Sequence, residues 1–126
     1  QVAAVFATPV SAGPHIKAGK ARALATTGPT RAALLPEVPT VAESGYSGYE
    51  AINWYAYVAP AKTPREIVER LNRELVKALV TPEAHDLLNK QGLEPRPSTI
   101  EELARYIERE YQTWGRVVKT AGITAN

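Results

Sequence analysis

The sequence has no cysteine, and this absence excludes several kinds of chemistry at once. Disulfide bonds, thiolate nucleophiles and thiolate metal sites all need that side chain. Long apolar runs are missing as well, since no stretch approaches the roughly 18 residues that a membrane-spanning helix requires. The 15 basic and 13 acidic residues nearly balance, and the two signs are interleaved along the second half of the chain. This pattern indicates solvated helix faces rather than a surface for nucleic acid.

Methionine is also absent, so the chain has no start residue. It opens at Gln1 and runs directly into an apolar stretch, whereas natural N-termini are usually polar or loosely held. We therefore expect further sequence to precede Gln1 in the natural protein.

The sequence offers little for catalysis. Its two histidines, His15 and His85, lie in unrelated segments, and neither has the Asp or Ser neighbours of a catalytic triad. Glu101 and Glu102 are adjacent carboxylates, but neighbouring residues on a helix do not face each other, and favourable electrostatics at a helix start explain them better. No glycine-rich phosphate loop is present. We therefore predict no enzymatic activity, no catalytic residue, no metal site and no cofactor.

Three short segments have the composition of β-strands: residues 2–6, 21–25 and 53–59. The first is an apolar run, the second alternates small and larger residues, and the third is rich in aromatic and β-branched side chains. Residues 40–45 have the composition of a single helical turn that ends at glycine.

Start and stop signals predict one short helix in the first half of the chain and three in the second. In the first half, Ser11 caps a helix that runs to Ile16 and is closed by Gly19. In the second half, the caps are followed by apolar residues at helical spacing. The first of these helices is capped by Thr63 and runs through Leu79. The second is capped by Thr81 and ends at Gly92. The third is capped by Ser98, with Glu101 as its capping-box partner, and ends at Gly122.

The order strand, helix, strand, loops, strand and three helices predicts an α/β fold. Three strands flanked by helices need partner strands before they make a covered sheet. We therefore expect the fold to be incomplete as given, in line with the expectation for the N-terminus.

The turn after the first predicted strand is the best candidate for ligand contact. In open α/β sheets, ligands gather beyond the carboxyl ends of strands, where helix N-termini point free N–H groups outward. We predict Phe6 as a wall of the site, Ala7 as a point of close approach, and Thr8 and Ser11 as donors to a carboxylate. The alternative is an ordinary strand-to-helix turn with Ser11 as its cap.

Aromatic residues on the third predicted strand supply a further candidate. Trp54 and Tyr55 alternate, so that one faces a covering layer while the other is free to face a cleft. We predict Trp54 as an aromatic wall of the ligand site. Trp114 falls on the apolar stripe of the last predicted helix, and we expect it to pack in the core.

Three separated motifs stand at residues 14–25 (PHIKAGKARALA), 35–45 (LPEVPTVAESG) and 54–64 (WYAYVAPAKTP), and the order continues through 67–72 (IVERLN) to 114–119 (WGRVVK). In this register they closely resemble the Bug-type solute receptors of tripartite tricarboxylate transporters. The resemblance covers essentially the whole chain.

The resemblance implies a two-lobed fold of the periplasmic-binding-protein type II class, of which this chain would be the C-terminal portion. By analogy, residues 1–50 are the C-terminal part of the second lobe. Residues 51–126 are then a crossover strand and the C-terminal helices of the first lobe. This assignment would put Trp54 near the hinge between the lobes.

The same resemblance implies a periplasmic receptor that captures a small mono-, di- or tricarboxylate and delivers it to membrane transporter subunits, with no nucleic-acid partner. Many relatives carry Asp or Asn after the phenylalanine of the strand, whereas this chain has Ala7 and Thr8, and this departure argues against an amino-acid ligand. The alternative function is that of a truncated interaction module, which would form a homodimer through surface that the missing lobe leaves uncovered.

Overall fold

A computed structural model describes residues 3–124 of the chain. Those residues form four helices: α1 (Pro9–Lys17), α2 (Arg65–Leu79), α3 (Pro82–Lys90) and α4 (Ile100–Thr120). The four helices predicted from capping residues and apolar spacing are therefore confirmed. Gly92 and Gly122 end the last two with φ values of +70° and +65°, a left-handed conformation that glycine adopts without the penalty of a Cβ.

Helix α1 begins at Pro9, two residues before Ser11, which was predicted as its cap. Thr8 is the N-cap, with extended backbone angles, and its hydroxyl oxygen accepts a hydrogen bond from the Ser11 amide at 3.3 Å. The prediction of Ser11 as cap was wrong because Pro9 fits the first helical position, where a missing N–H costs nothing.

Helix α2 also starts differently from its prediction. Pro64 occupies the N-cap position without any side-chain cap, and the helix begins at Arg65. The Thr63 amide donates to the Pro60 carbonyl at 2.9 Å, so Thr63 belongs to the preceding turn. The prediction of a Thr63 cap was therefore wrong.

Helix α4 has the capping box that its sequence predicted, shifted by one residue. Thr99 is the cap; its hydroxyl accepts the Glu102 amide at 3.1 Å, and the Glu102 carboxylate accepts the Thr99 amide at 2.8 Å. The prediction of Ser98 and Glu101 was wrong: the Glu101 carboxylate, which the predicted capping box needed, pairs with α2 instead, and the backbone of Ser98 is bonded to α2 as well. The Ser98 carbonyl accepts from the side chain of Asn72 at 3.0 Å, and Glu101 pairs with Arg65.

The three predicted strands are not formed. Among residues 3–124 the only β-pairing is an isolated parallel bridge between Thr26 and Thr40, and residues 21–25 and 53–59 take part in no β-bridge. Val2, in the first predicted strand, lies outside the described residues, and residues 3–6 form no strand. Composition indicates that a segment suits a sheet, but a strand also needs a neighbour for its N–H and C=O groups.

The described residues divide into two compact units. Unit 1 contains the described residues up to Val58 together with Pro82–Pro95, and unit 2 contains Ala59–Thr81 and the described residues from Arg96 onwards. These divisions do not coincide with the boundary at residue 50 that the resemblance implies for the lobes. They describe contacts within this chain alone, so the assignment of residues 1–50 and 51–126 to two lobes stays a prediction.

Unit 1 is built around a very small core. Val38, 7% exposed, and Thr40, 1% exposed, are the only buried residues in the part of the chain that the structure describes. A Cβ at Gly92 would stand 2.7 Å from Cγ2 of Val10 and 3.5 Å from Cδ1 of Leu34, so the end of α3 lies close against α1.

Unit 2 pairs the amphipathic helices α2 and α4. Arg65 bonds to Glu69 of its own helix at 2.7 Å and to Glu101 of α4 at 2.9 Å. Asn72 adds the partly buried bond to the backbone before α4. Trp114 keeps 44% of its surface exposed, so the expected core position is only half realised within this unit.

Large apolar side chains remain exposed in both units. None of the helix residues is fully buried. The most exposed large apolar and aromatic residues, each with more than two thirds of its surface accessible, are Val5, Phe6, Tyr46, Tyr55, Tyr57, Val58 and Tyr111.

Candidate functional site

The candidate ligand turn is organised around Thr8. The Thr8 hydroxyl donates to Oγ of Ser11 at 3.0 Å, and the Ser11 hydroxyl donates to the Thr8 carbonyl at 3.0 Å. The structure thus brings together two of the predicted site residues. In this arrangement both hydroxyl protons are already used within the turn.

The backbone of the turn keeps one donor for an anion. Pro9 has no N–H, the Ser11 amide donates to Thr8 Oγ1, and the Ala12 amide donates to the Thr8 carbonyl at 3.0 Å. Among the described residues, the Val10 amide is therefore the first-turn donor without a hydrogen-bond partner. A carboxylate at this helix start would accept a hydrogen bond from that amide. It could also accept from the two hydroxyls if they rotate out of their hydrogen bonds within the turn.

Phe6 and Ala7 lead into this turn from the solvent side. Phe6 is 89% exposed, and Ala7 is exposed as well. Because this aromatic ring is so exposed, it does not line a binding site together with the other described residues. Its predicted role needs a ligand or further protein to pack against.

Trp54 lies in unit 1, shortly after residues that contact the chain at Thr27 and Gly28. The Ala51 amide donates to the Thr27 carbonyl at 2.9 Å, and Ile52 lies close to Gly28. Two residues further on, Trp54 is 39% exposed, whereas the neighbouring Tyr55 is 80% exposed. Trp54 is thus the partly covered member of the pair. Because residues 53–59 form no strand, the alternation that suggested its role is not tested, and Trp54 as a wall of the ligand site stays a prediction.

The most tightly bonded cluster of unit 1 was not predicted as part of any site. The Thr40 amide donates to Oε2 of Glu43 at 2.7 Å, and the Glu43 amide donates to Oγ1 of Thr40 at 3.0 Å. Nε of Arg31 lies 3.0 Å and 3.2 Å from the two carboxylate oxygens of Glu43. We name these residues, together with Thr26 beside Thr40, the Thr40 knot. The Thr-x-x-Glu spacing could have revealed half of it, but nothing in the sequence points to Arg31.

The carboxylate in the Thr40 knot is held in its charged form. The hydrogen bond from the Thr40 backbone, followed by the one from Arg31, lowers the pKa of Glu43 below its usual value of 4.5. Oγ1 of Thr26 is buried beside this cluster without a hydrogen-bond partner among the described residues.

The remaining titratable candidates do not come together. His15 lies exposed in the last turn of α1, and His85 is half-buried in α3. Within residues 3–124, no group of three or more His, Asp or Glu side chains is arranged to hold a metal ion. None of the described helices combines the length and the hydropathy needed to cross a membrane.

Solved structures identify the class of protein to which this arrangement belongs. A structure from R. palustris, Rpa4515 with adipate, is 37% identical and has a TM-score of 0.74, covering 89% of this chain and 38% of its own. The periplasmic binding protein BugD is 30% identical with a TM-score of 0.71, covering 91% of this chain and 39% of its own. The chain therefore has part of the α/β fold of periplasmic binding proteins, as predicted.

Sequence comparisons lead to the same class. A UPF0065 protein encoded in the tcbD-tcbE intergenic region of Pseudomonas sp. (strain P51) is 37% identical over 113 residues, which are 89% of this chain and 34% of that protein. Protein BugT of Bordetella pertussis is 36% identical over 108 residues, which are 86% of this chain and 33% of that protein. This chain thus spans about a third of the length of these relatives.

The family model of the tripartite tricarboxylate transporter family receptor matches residues 1–123. The chain belongs to that family, and the family named from its motifs is confirmed. Its members and the neighbours above are periplasmic solute-binding proteins, which are not enzymes, in agreement with the prediction.

Proposed function

We propose that this chain is part of a periplasmic receptor that captures a small mono-, di- or tricarboxylate and passes it to the membrane subunits of a tripartite tricarboxylate transporter. The observation that carries the proposal is the family match over residues 1–123. A neighbour of 37% identity with adipate in its structure supports a carboxylate ligand. We assign residues 1–50 to the second lobe and residues 51–126 to the crossover strand and the first lobe.

The ligand site in this chain is the turn at the start of α1, with Trp54 as an aromatic wall. The Val10 amide and the dipole of α1 favour a negative charge at this point. The Thr8 and Ser11 hydroxyls add two donors once they leave their present acceptors, Oγ of Ser11 and the Thr8 carbonyl, and donate to the ligand. Phe6 and Ala7 border the turn. This chain contributes no arginine or lysine to the turn itself, so the anion would be held mainly by neutral donors.

Thermal denaturation of the full-length receptor with a panel of carboxylates tests the proposal. Acetate, adipate and citrate represent one, two and three carboxylates, and adipamide is the uncharged control for adipate. A specific ligand raises Tm in proportion to the logarithm of its concentration, and about 100 times Kd corresponds to roughly 2.7 kcal/mol. A flat response to all three acids, or an equal response to adipamide, would contradict the proposal.

A second candidate function follows from the exposed apolar side chains. Phe6, Tyr55, Tyr57 and Val58 present apolar surface that a second copy of the chain could cover. In that case this polypeptide would act as a homodimeric interaction module without a ligand. Light scattering distinguishes the two functions: a molar mass of twice the chain mass that does not change with adipate favours the interaction module.

A further inference from the structure

The Thr40 knot lies at the centre of unit 1 and joins three stretches of the chain. Thr26 and Thr40 form the isolated parallel bridge, with the Thr26 amide donating to the Pro39 carbonyl at 2.8 Å and the Val41 amide donating to the Thr26 carbonyl at 2.9 Å. Thr40 is also the most deeply buried of the described residues. The knot therefore fixes the position of Thr26 relative to the turn that begins at Thr40.

The side chain of Arg31 adds hydrogen bonds to the Thr40 knot. Its Nε contacts both carboxylate oxygens of Glu43, and its Nη1 donates to the Pro36 carbonyl at 3.2 Å. One guanidinium thus joins the turn at Glu43 to the loop that precedes it. A planar guanidinium provides several donors with fixed relative directions, which a lysine cannot reproduce.

The chain that carries Trp54 is attached to the residue next to this bridge. Thr27 accepts the Ala51 amide through its carbonyl, and the neighbouring Gly28 lies against Ile52. A Cβ at Gly28 would come within 3.8 Å of Cγ2 of Ile52. Because Thr27 follows Thr26 directly, a shift of the bridge would also shift the backbone that leads to Trp54.

We infer that Arg31 and Glu43 are positioning residues for Trp54: they hold the Thr26–Thr40 bridge from which residues 51–54 depart. In this inference neither residue needs to contact the ligand. Their effect on affinity passes through the backbone at residues 27 and 51 to the indole. The inference rests on the proposed function, because it assumes that Trp54 faces a carboxylate ligand.

Fluorescence of the full-length receptor tests the inference. Trp114 is the other tryptophan of this chain, and Trp114→Phe removes its emission here; any tryptophan in the rest of the receptor is replaced by Phe in the same background. Glu43→Ala removes the acceptor for both Thr40 and Arg31, whereas Glu43→Gln keeps an oxygen for the Thr40 amide and loses the charge that faces Arg31. We expect Glu43→Ala to shift the Trp54 emission to the red and to weaken adipate binding by about tenfold, comparable to the loss of one well-placed contact. Glu43→Gln is expected to have a smaller effect of the same sign.

Helix α4 provides a matched control. Thr99 and Glu102 form the same reciprocal pair as Thr40 and Glu43, but in unit 2; Arg105 acts on Glu102 only through its charge, without the hydrogen bonds that Arg31 makes to Glu43. Glu102→Ala should lower Tm while leaving the Trp54 emission and the adipate Kd unchanged. This control separates a loss of stability from a loss of positioning.

Two outcomes would overturn the inference. The first is an unchanged Trp54 emission in Glu43→Ala. The second is a Glu43→Ala variant that has a lower Tm but the wild-type adipate Kd, because the pair would then be structural only. If the wild-type receptor binds no carboxylate, the proposed function fails separately, and the Trp54 emission alone decides: a red shift supports the positioning role and its absence refutes it.

Discussion

Arg65 donates to Glu101 at 2.9 Å, and this contact bridges 36 positions of the sequence to join α2 to the first turn of α4. The same guanidinium holds Glu69 at 2.7 Å. These two carboxylates account for the raised pKa of Arg65, with the hydrogen bond to Glu69 as the larger cause. One side chain thus contributes to both helices of unit 2.

We predict that Arg65→Gln lowers the Tm of the protein, and that the difference from wild type shrinks in about 1 M NaCl, where the Debye length is about 3 Å. The pair is exposed, so the effect should be modest. Lys77→Gln is the control, since Lys77 makes a single pair with Glu74 in its own helix. A Tm difference for Arg65→Gln that does not depend on salt would contradict an electrostatic role.

The close approach of α3 to α1 leads to a second prediction. Gly92 has φ +70° and has Val10 at 2.7 Å from the place of a Cβ, whereas Gly19 has φ +67° and nothing within 4 Å. Gly19→Ala should cost about 1–2 kcal/mol, the penalty of a left-handed alanine. Gly92→Ala should cost more, because the side chain of Val10 must also move.

Chemical denaturation of the two variants measures this difference. Because both glycines have nearly the same φ, the excess loss in Gly92→Ala isolates the steric contact. Equal losses would show that α3 does not press on Val10. The double variant Gly92→Ala with Val10→Ala should recover part of the excess.

The lowered pKa values of two carboxylates, Glu43 and Glu102, predict how stability depends on pH. Hydrogen bonds from the Thr40 and Thr99 amides are the largest causes that lower the pKa of Glu43 and of Glu102, respectively, below 4.5. In the unfolded chain both should titrate near that value. Their contribution to stability is therefore fully present above pH 4.5 and is lost as the pH falls through the lower folded pKa.

Thermal denaturation between about pH 6 and pH 3 tests this sign. Tm should fall as the pH decreases below 4.5. The double variant Glu43→Gln with Glu102→Gln should have a lower Tm at pH 6 and a shallower fall. Parallel curves for wild type and the double variant would show that these two carboxylates do not carry the acid sensitivity.

The helices could be predicted from the sequence because their signals are local. Apolar spacing located α2 and α4, and Gly92 and Gly122 marked the ends of α3 and α4. The exact caps depended on distant partners: Ser98 and Thr99 are both suitable caps, and the bond from Asn72 to the Ser98 carbonyl accompanies the choice of Thr99.

The strands and the Thr40 knot could not be predicted for a different reason. Residues 53–59 have strand composition, but no segment of the described chain pairs with them in a β-ladder. The strand prediction therefore rested on propensity alone. Arg31 and Glu43 are 12 positions apart and carry no pattern that links them. Sequence located Thr8 and Ser11 together but did not show that their hydroxyls bond to each other.

The last prediction concerns the candidate site at Thr8. Thr8→Val keeps the shape of the side chain and removes the oxygen that accepts the Ser11 amide. As the loss of an N-cap it should cost about 1 kcal/mol. If Thr8 also contacts the ligand, the adipate Kd of the full-length receptor should rise by about fivefold to tenfold, as for the loss of one hydrogen bond.

Thr99→Val is the control, because it removes an equivalent cap at the start of α4. Both variants should lose similar stability by thermal denaturation, whereas isothermal titration with adipate should detect weaker binding for Thr8→Val alone. An unchanged Kd in Thr8→Val would leave Thr8 as a cap and remove it from the site. Equal weakening in both variants would mean that reduced stability, not a contact at the start of α1, lowers the affinity.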